Sequence, residues 1–311
     1  MTGYKFAPIY ANTKNTQIMQ DLIIPQGAVA RANDLALVPI IDPKKFSFVV
    51  NKMRTFFLRK GFVEVHTQNR LSILAACENP HSIASYEYCG NVWPLPQTGQ
   101  MWLEYELLTK PDVPGFFCVS TSYRNEKSPI KGRHQRIFPM FEFEMHGGIK
   151  ELIELEIELL EDLGFGKAED FVHADYEDIA KKYGVNTIEA EDELRIQEEY
   201  GNVFFLENFP ERTNPFWNMK RNGETANKVD ALLHGIETIG SAERSTDAVE
   251  QRDSFYSIED GKYAEKLFDL FGKSRVEDEL EDFLSFEFFQ RSGGGMGVPR
   301  MIRAFELSGL I

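Results

Sequence analysis

The stretch Phe117–Met145 constrains this chain most, because two runs of alternating residues bracket a basic loop and so demand paired strands. Phe117, Val119, Thr121 and Tyr123 alternate with small or polar residues, and Phe141, Phe143 and Met145 alternate with Glu142 and Glu144. A period of two puts one set of side chains on each face of a sheet. The loop between the strands carries Lys127, Lys131, Arg133, His134 and Arg136. Arg124 stands where the first strand ends, and Glu142 and Glu144 share one face of the second. Taken alone, such a loop reads most simply as a solvated surface hairpin. A fixed arginine, a basic loop and inward carboxylates on one surface also suit a polyanion plus an amine, the combination of ATP and an amino acid.

With 311 residues, 42% of them hydrophobic, the chain can bury a large core as one or two domains. A net charge of −15 argues against affinity for nucleic acid through a broad cationic surface, though not against a local basic site. Cys77, Cys89 and Cys118 are widely spaced and odd in number, so neither a zinc knuckle nor a disulfide framework is indicated. The N-terminus lacks an apolar signal core, and no run of about 18 apolar residues occurs. These features lead us to expect a soluble cytoplasmic protein.

Residues 1–42 read as an irregular extension and residues 43–311 as one catalytic-type domain. Phe46, Val49, Val50, Met53, Phe56 and Phe57 recur at helical spacing, and Phe62–Thr67 reads as a short strand. A loop-rich region to about Thr98 precedes Met101–Leu108, for which we favour helix. Leu152, Leu155, Leu159 and Leu160 mark a strong helix over 151–163, and helices are expected over 175–183, 192–200, 250–261 and 263–271. Phe283–Phe289 reads as an aromatic strand, followed by a glycine-rich turn, SGGGMGVPR, that opens a last helix. Strands and helices do not alternate in βαβ units. The expected class is therefore α+β, a mainly antiparallel sheet flanked by helices.

Three further clusters carry chemistry. Val229–Ile239 reads as a hairpin turning at His234-Gly235, with Asp230 opposite Ile239 and Leu232 opposite Glu237. Asp230 and Glu237 then share one face as diagonal neighbours, roughly 7–8 Å apart at the backbone. Paired acids on an exposed sheet face are common, but here apolar neighbours flank them. Mg²⁺ needs only one or two carboxylates when phosphates complete its shell. The segment from Gly240 to Arg244 sets small residues beside an arginine that could fork onto a carboxylate or carboxamide, or merely pair at the surface. The glycine-rich turn offers backbone donors to phosphate, and Arg300 on the first turn of the helix is its stronger signal.

Together these residues resemble the signatures of class II aminoacyl-tRNA synthetases. Arg124, Glu126, the Arg133-His134 loop, Phe138 and the acidic strand look like the second signature, and Gly295, Gly297 and Arg300 like the third. The helix followed by GFVEVHT resembles the first, with Gln68 in place of the expected proline. Within the class, Thr98–Glu104 (TGQMWLE), FPERTNPFWNM and VDALLHGIETIGSAER resemble the aspartyl/asparaginyl branch, and the asparaginyl enzymes most. Leu103 stands where aspartyl enzymes carry a lysine, and Ile137 where a glutamate is usual. Cys77-Glu78 is similar to a further segment of the branch, displaced by two residues.

The resemblance implies a class II catalytic sheet, Mg²⁺-assisted ATP chemistry, an aminoacyl adenylate and a homodimer. By that resemblance Arg124 and Arg300 are catalytic, and Arg124, Glu126, Arg133, His134, Phe138 and Arg300 hold ATP. Glu142, Gln100 and Glu78 take the substrate ammonium. Glu104 and Arg244 read its side chain, Gly240 lets the amino acid approach the backbone, and Asp230 and Glu237 bind Mg²⁺.

Enzymes of this branch place an OB-fold anticodon domain before the core, and residues 1–42 do not read as one. The expectation is an ATP-dependent ligase activating asparagine or a similar amino acid, with tRNA, ammonia, a protein or a small metabolite as acceptor. Two alternatives stand beside it. One is an ammonia-dependent asparagine synthetase of archaeal type, against which Leu103 counts. The other is a non-catalytic synthetase-like regulator, against which the presence of Arg124, Arg300, Asp230 and Glu237 counts.

Overall fold

The structure is a computed structural model that describes residues 41–67, 71–73, 79–127 and 134–311. Helix α1 (Pro43–Arg59) starts where Asp42 accepts hydrogen bonds from the amides of Lys44 and Lys45, with proline at its first position. It leads to strand β1 (Val63–Glu64), shorter than the expected Phe62–Thr67. A small hairpin follows, β2 (Ala84–Tyr88) and β3 (Asn91–Leu95), where only loop was expected. The segment expected as helix is α2 (Gln100–Thr109).

The alternating runs form β4 (Gly115–Tyr123) and β5 (Ile137–His146), paired antiparallel with Cys118 opposite Glu142. Helix α3 (Ile149–Leu163) ends at Gly164, which takes the left-handed conformation that glycine tolerates. Then come β6 (Val172–Asp175), α4 (Tyr176–Tyr183), α5 (Ala190–Tyr200), β7 (Val203–Pro210), β8 (Arg221–Asn222), β9 (Thr225–Leu233) and β10 (Ile236–Glu243). The chain closes with α6 (Ala248–Ser257), α7 (Lys262–Phe271), α8 (Lys273–Leu284), β11 (Arg291–Gly297) and α9 (Val298–Leu307).

Nine of these strands make one sheet in the order β1-β4-β5-β11-β10-β9-β7-β6, with β8 on β9. Only β1/β4 and β6/β7 pair in parallel. The expected antiparallel architecture is therefore present. One face packs against α1, α3 and α9 through Phe57, Phe117, Phe141, Phe143, Ala231 and Met296. Burying large apolar side chains from both layers supplies the main cohesion of such a fold. The opposite face carries Glu142, Glu144 and Asp230, the residues around which the candidate site is built. No helix among the described residues is long and apolar enough to cross a membrane.

Three sequence expectations are corrected. Phe283–Phe289 is not a strand: Phe283 belongs to α8, which packs Val276, Leu280, Phe283 and Leu284 at three-to-four spacing. The β-propensity of the aromatic run concealed that period. The stretch from Arg291 to Gly297 is not a turn either but the middle strand of the sheet, bonded to β5 on one side and β10 on the other. Its amides are engaged in the ladder, so they do not form a phosphate cradle. The glycines serve packing instead: a Cβ at Gly293 would stand 2.3 Å from the Glu144 carboxyl carbon. Finally, a bulge between Glu237 and Ile239 moves the register, so Asp230 faces Gly240 rather than Ile239.

Candidate active site

Arg124 lies just past β4, where its amide donates to the carbonyl of Arg136 at 2.7 Å and closes the base of the loop. Its guanidinium sits 5.3 Å from the centre of the Phe138 ring. Its Nε is buried without a hydrogen-bond partner. On the same loop base, His134 Nδ1 meets Glu126 Oε2 at 3.0 Å. Arg133 and Glu78 lie outside the described residues.

Glu142 is fully buried on β5. It accepts from the Gly99 amide at 2.9 Å, from Ser120 Oγ at 2.5 Å and from Thr98 Oγ1. Burial raises its pKa, while these donors and Arg124 pull it back toward the charged form. Gly99 also serves close approach, since a Cβ there would lie 2.8 Å from Thr67 Cγ2.

Two positions along β5, Glu144 meets Arg244, whose Nε donates to Oε1 at 3.0 Å and whose Nη2 lies 2.5 Å from the same oxygen. Arg244 Nη2 also donates to Gln100 Oε1 at 2.6 Å. Glu104, from α2, has both oxygens engaged. Asn218 Nδ2 donates to Oε1 at 2.7 Å, and Arg291 donates to Oε2 at 2.8 and 3.1 Å. Arg244 approaches Glu104 only to 3.8 Å. Arg244 thus joins Gln100, which was expected beside Glu142, to Glu144, and it comes near Glu104, which is held chiefly by Arg291. Burial pushes the Glu144 carboxyl up to about 7, against the opposing pull of Arg244.

Sequence reasoning missed Arg291 and Asn218, and it left Glu144 without a role. The signal for Arg291 was a cation opening a strand of glycines, which a reading of that stretch as a turn hides.

Asp230 and Glu237 converge over Gly240. A Cβ at that glycine would lie 2.9 Å from Glu237 Oε1 and 3.4 Å from Asp230 Oδ1. Asp230 Oδ1 is buried and lacks a partner, while Oδ2 lies 2.5 Å from Lys228 Nζ. Burial pushes Asp230 up to about 7, with Lys228 opposing it. Arg300, on α9, donates from Nη1 to the Glu237 carbonyl at 2.6 Å and lies 3.7 Å from Glu237 Oε2. The bulge in β10 therefore does not separate the two acids. Among the described residues, no group of three or more His, Cys, Asp or Glu could hold a metal ion by itself.

Beneath the sheet, Glu156 interrupts the apolar stripe of α3 and is fully buried. Neither oxygen has a well-formed hydrogen bond. Burial pushes its pKa up to about 8; the neighbouring Ser241 hydroxyl, which donates to the Val229 carbonyl at 3.3 Å, pulls the carboxyl only partly back toward its charged form. A raised carboxyl pKa means the folded chain binds a proton that the unfolded chain releases, so stability falls as pH rises from about 4.5 to about 8. We expect Glu156→Gln to be near neutral at the acid end of that window. At the alkaline end it should stabilise by on the order of a few kcal/mol. Urea midpoints of both proteins across the window test this, and parallel pH profiles would refute it.

A family model for class II tRNA synthetases (D, K and N) matches residues 43–307. The chain belongs to that family. Among solved structures, this class II synthetase chain is similar to asparaginyl-tRNA synthetase from Pyrococcus horikoshii complexed with asparaginyl-adenylate, at 20% identity and a TM-score of 0.68. That match covers 85% of this chain and 65% of the other. Asparaginyl-tRNA synthetase from Entamoeba histolytica matches at 18% identity and a TM-score of 0.67, over 84% of this chain and 63% of its own. Aspartyl-tRNA synthetase from the same organism matches at 17% and 0.63, over 98% and 61%. This chain thus spans somewhat under two thirds of the length of these structures. No curated protein matches it in sequence. The likeness establishes a class II synthetase fold, and the site chemistry is argued from the residues themselves.

Proposed function

We propose that this chain activates an amino acid, asparagine or a close analogue, by joining it to ATP as an aminoacyl adenylate. The acyl group then passes to a tRNA or a surrogate acceptor. One observation carries this reading: Arg124, Glu142, the Arg244–Glu144–Gln100 cluster and the Asp230/Glu237 pair with Arg300 all lie on or beside one face of the sheet. In the proposed step the amino-acid carboxylate attacks the α-phosphorus, and pyrophosphate leaves with the bonding pair. Arg124 holds the α-phosphate and the carboxylate, offsetting charge that grows between them. Phe138 stacks on adenine, Glu126 contacts the nucleotide, and Arg300, Arg133 and His134 meet the outer phosphates. Glu142, with Gln100 and Glu78, supplies the negative floor for the ammonium. Arg244 and Glu104 bound the side-chain end, where an arginine beside carboxylates suits a carboxamide, which both accepts and donates.

Asp230 and Glu237 fit Mg²⁺, because an orphaned buried oxygen and a second carboxylate face the space that Gly240 leaves open. When bound there, Mg²⁺ would offset phosphate charge. The homodimer stays part of the proposal, supported by β1 as a sheet edge and by exposed Val63 on it and exposed Leu58 at the end of the helix before it.

The test is ATP–pyrophosphate exchange with each common amino acid in turn. We expect exchange with asparagine or a close analogue. No exchange with any common amino acid removes that substrate class. Exchange with aspartate, coupled to ammonia-dependent asparagine release, replaces this reading with an asparagine synthetase.

A further inference from the structure

The acid pair has a neighbour that its proposed role does not explain. Lys228 precedes Asp230 by two positions on β9 and so projects from the same face. Its Nζ lies 2.5 Å from Asp230 Oδ2 and 3.5 Å from the centre of the Phe209 ring. The ring face and the carboxylate together fix a cation that is only one-fifth exposed. Asp230 is therefore open on one side only, at Oδ1, which faces the Gly240 space shared with Glu237. Other charges around the pair include Glu193, whose Oε2 accepts from the Glu237 amide at 3.0 Å, Arg300, and Glu156, whose buried carboxyl on the far side of the sheet feels Asp230 electrostatically. Partly paired carboxylates attract a divalent ion weakly when a fixed ammonium stands beside the best ligand among them.

We propose that Lys228 is a resident counter-ion that closes one side of Asp230, so that a divalent cation enters this site together with a nucleoside triphosphate rather than before it. The proposal rests on the reading of Asp230 and Glu237 as the metal seat. Phosphates supply the missing negative charge and oxygen ligands, and they also give the ammonium of Lys228 a second anion to meet. Lys228 then acts as a positioning residue, setting the order in which metal and nucleotide bind.

Binding of Mn²⁺ to the purified chain, read by its electron paramagnetic resonance signal at about pH 8.5, tests this without any turnover. Without nucleotide, Lys228→Met should bind Mn²⁺ about tenfold more tightly than the wild type, because a nearby like charge is gone. With a non-hydrolysable ATP analogue present, the gap should close to within about threefold, because phosphate charge then dominates the site. Lys228→Arg, which keeps the charge, should follow the wild type, and Lys228→Gln serves as the neutral variant if the methionine protein does not fold. Equal nucleotide-free affinities of neutral variant and wild type overturn the proposal, as does Lys228→Arg behaving like Lys228→Met. Asp230→Asn should weaken Mn²⁺ binding in every condition. Unchanged binding in that variant removes the metal seat itself, whereas a loss there with no effect at Lys228 removes only the counter-ion.

Discussion

Replacing Arg124 by alanine should lower amino-acid-dependent ATP–pyrophosphate exchange by about 10²–10³-fold, the usual cost of removing one preorganised donor from a developing anion. The geometry explains why this residue exceeds its neighbours. Arg124 sits at the mouth of the β4/β5 hairpin, tied by its backbone to Arg136 and braced against Phe138, with its Nε unspent. It is also the cation that pulls buried Glu142 toward its charged form. On the proposed reading, alanine therefore removes the phosphate contact and weakens the ammonium seat at once. Arg124→Lys should recover only part of the loss, since a point charge cannot fork between phosphate and carboxylate. Exchange in Arg124→Ala within a few-fold of the wild type would mean that the hairpin is not the catalytic wall.

The second large effect concerns stability. Arg291→Met should destabilise the chain by about 3–5 kcal/mol, the range for stripping one partner from a buried ion pair. Arg291 is wholly buried, donates twice to Glu104 Oε2, reaches the Ser245 carbonyl at 3.2 Å and lies 4.6 Å from the centre of the Phe288 ring. Its loss leaves Glu104 with Asn218 and a distant Arg244 inside the protein. Adding Glu104→Gln to Arg291→Met should restore much of the loss, because the stranded charge is then removed as well. Denaturant midpoints of the single and double variants decide the matter. Additive losses would show that Arg291 contributes packing rather than charge balance.

The two predictions separate what half-buried Arg124 and fully buried Arg291 do. Arg124 keeps donor capacity unused by the protein, and unused capacity in a buried group is available to a ligand. Arg291 has spent its donors on Glu104 and a carbonyl. Arg244 stands between them, tied to Glu144 and Gln100 but bordering the Gly240 segment. A buried charge thus carries different weight according to what already satisfies it, and a string of letters does not record that.

Much of the architecture was legible in the letters, because period-two and period-3.6 patterns are local and survive without knowledge of the partner. Phe117 to Tyr123 and Phe141 to Met145 specified β4 and β5 and which face Glu142 would occupy. Leu152, Leu155, Leu159 and Leu160 specified α3. The order of Arg124, Asp230, Glu237, Arg244 and Arg300 along the chain was enough for the resemblance to its family. Partnership was not legible. The glycines of β11 read as a turn because glycine is rare inside strands. Only the lie of Glu144 across that strand shows why Gly293 admits no side chain. The bulge in β10 shifted Asp230 by one position, since register depends on the neighbouring strand and not on either sequence alone. Arg291 gripping Glu104 and Lys228 capping Asp230 were equally hidden. Ion pairs form between whichever charges the completed fold leaves together without water, and that is settled only when the sheet closes.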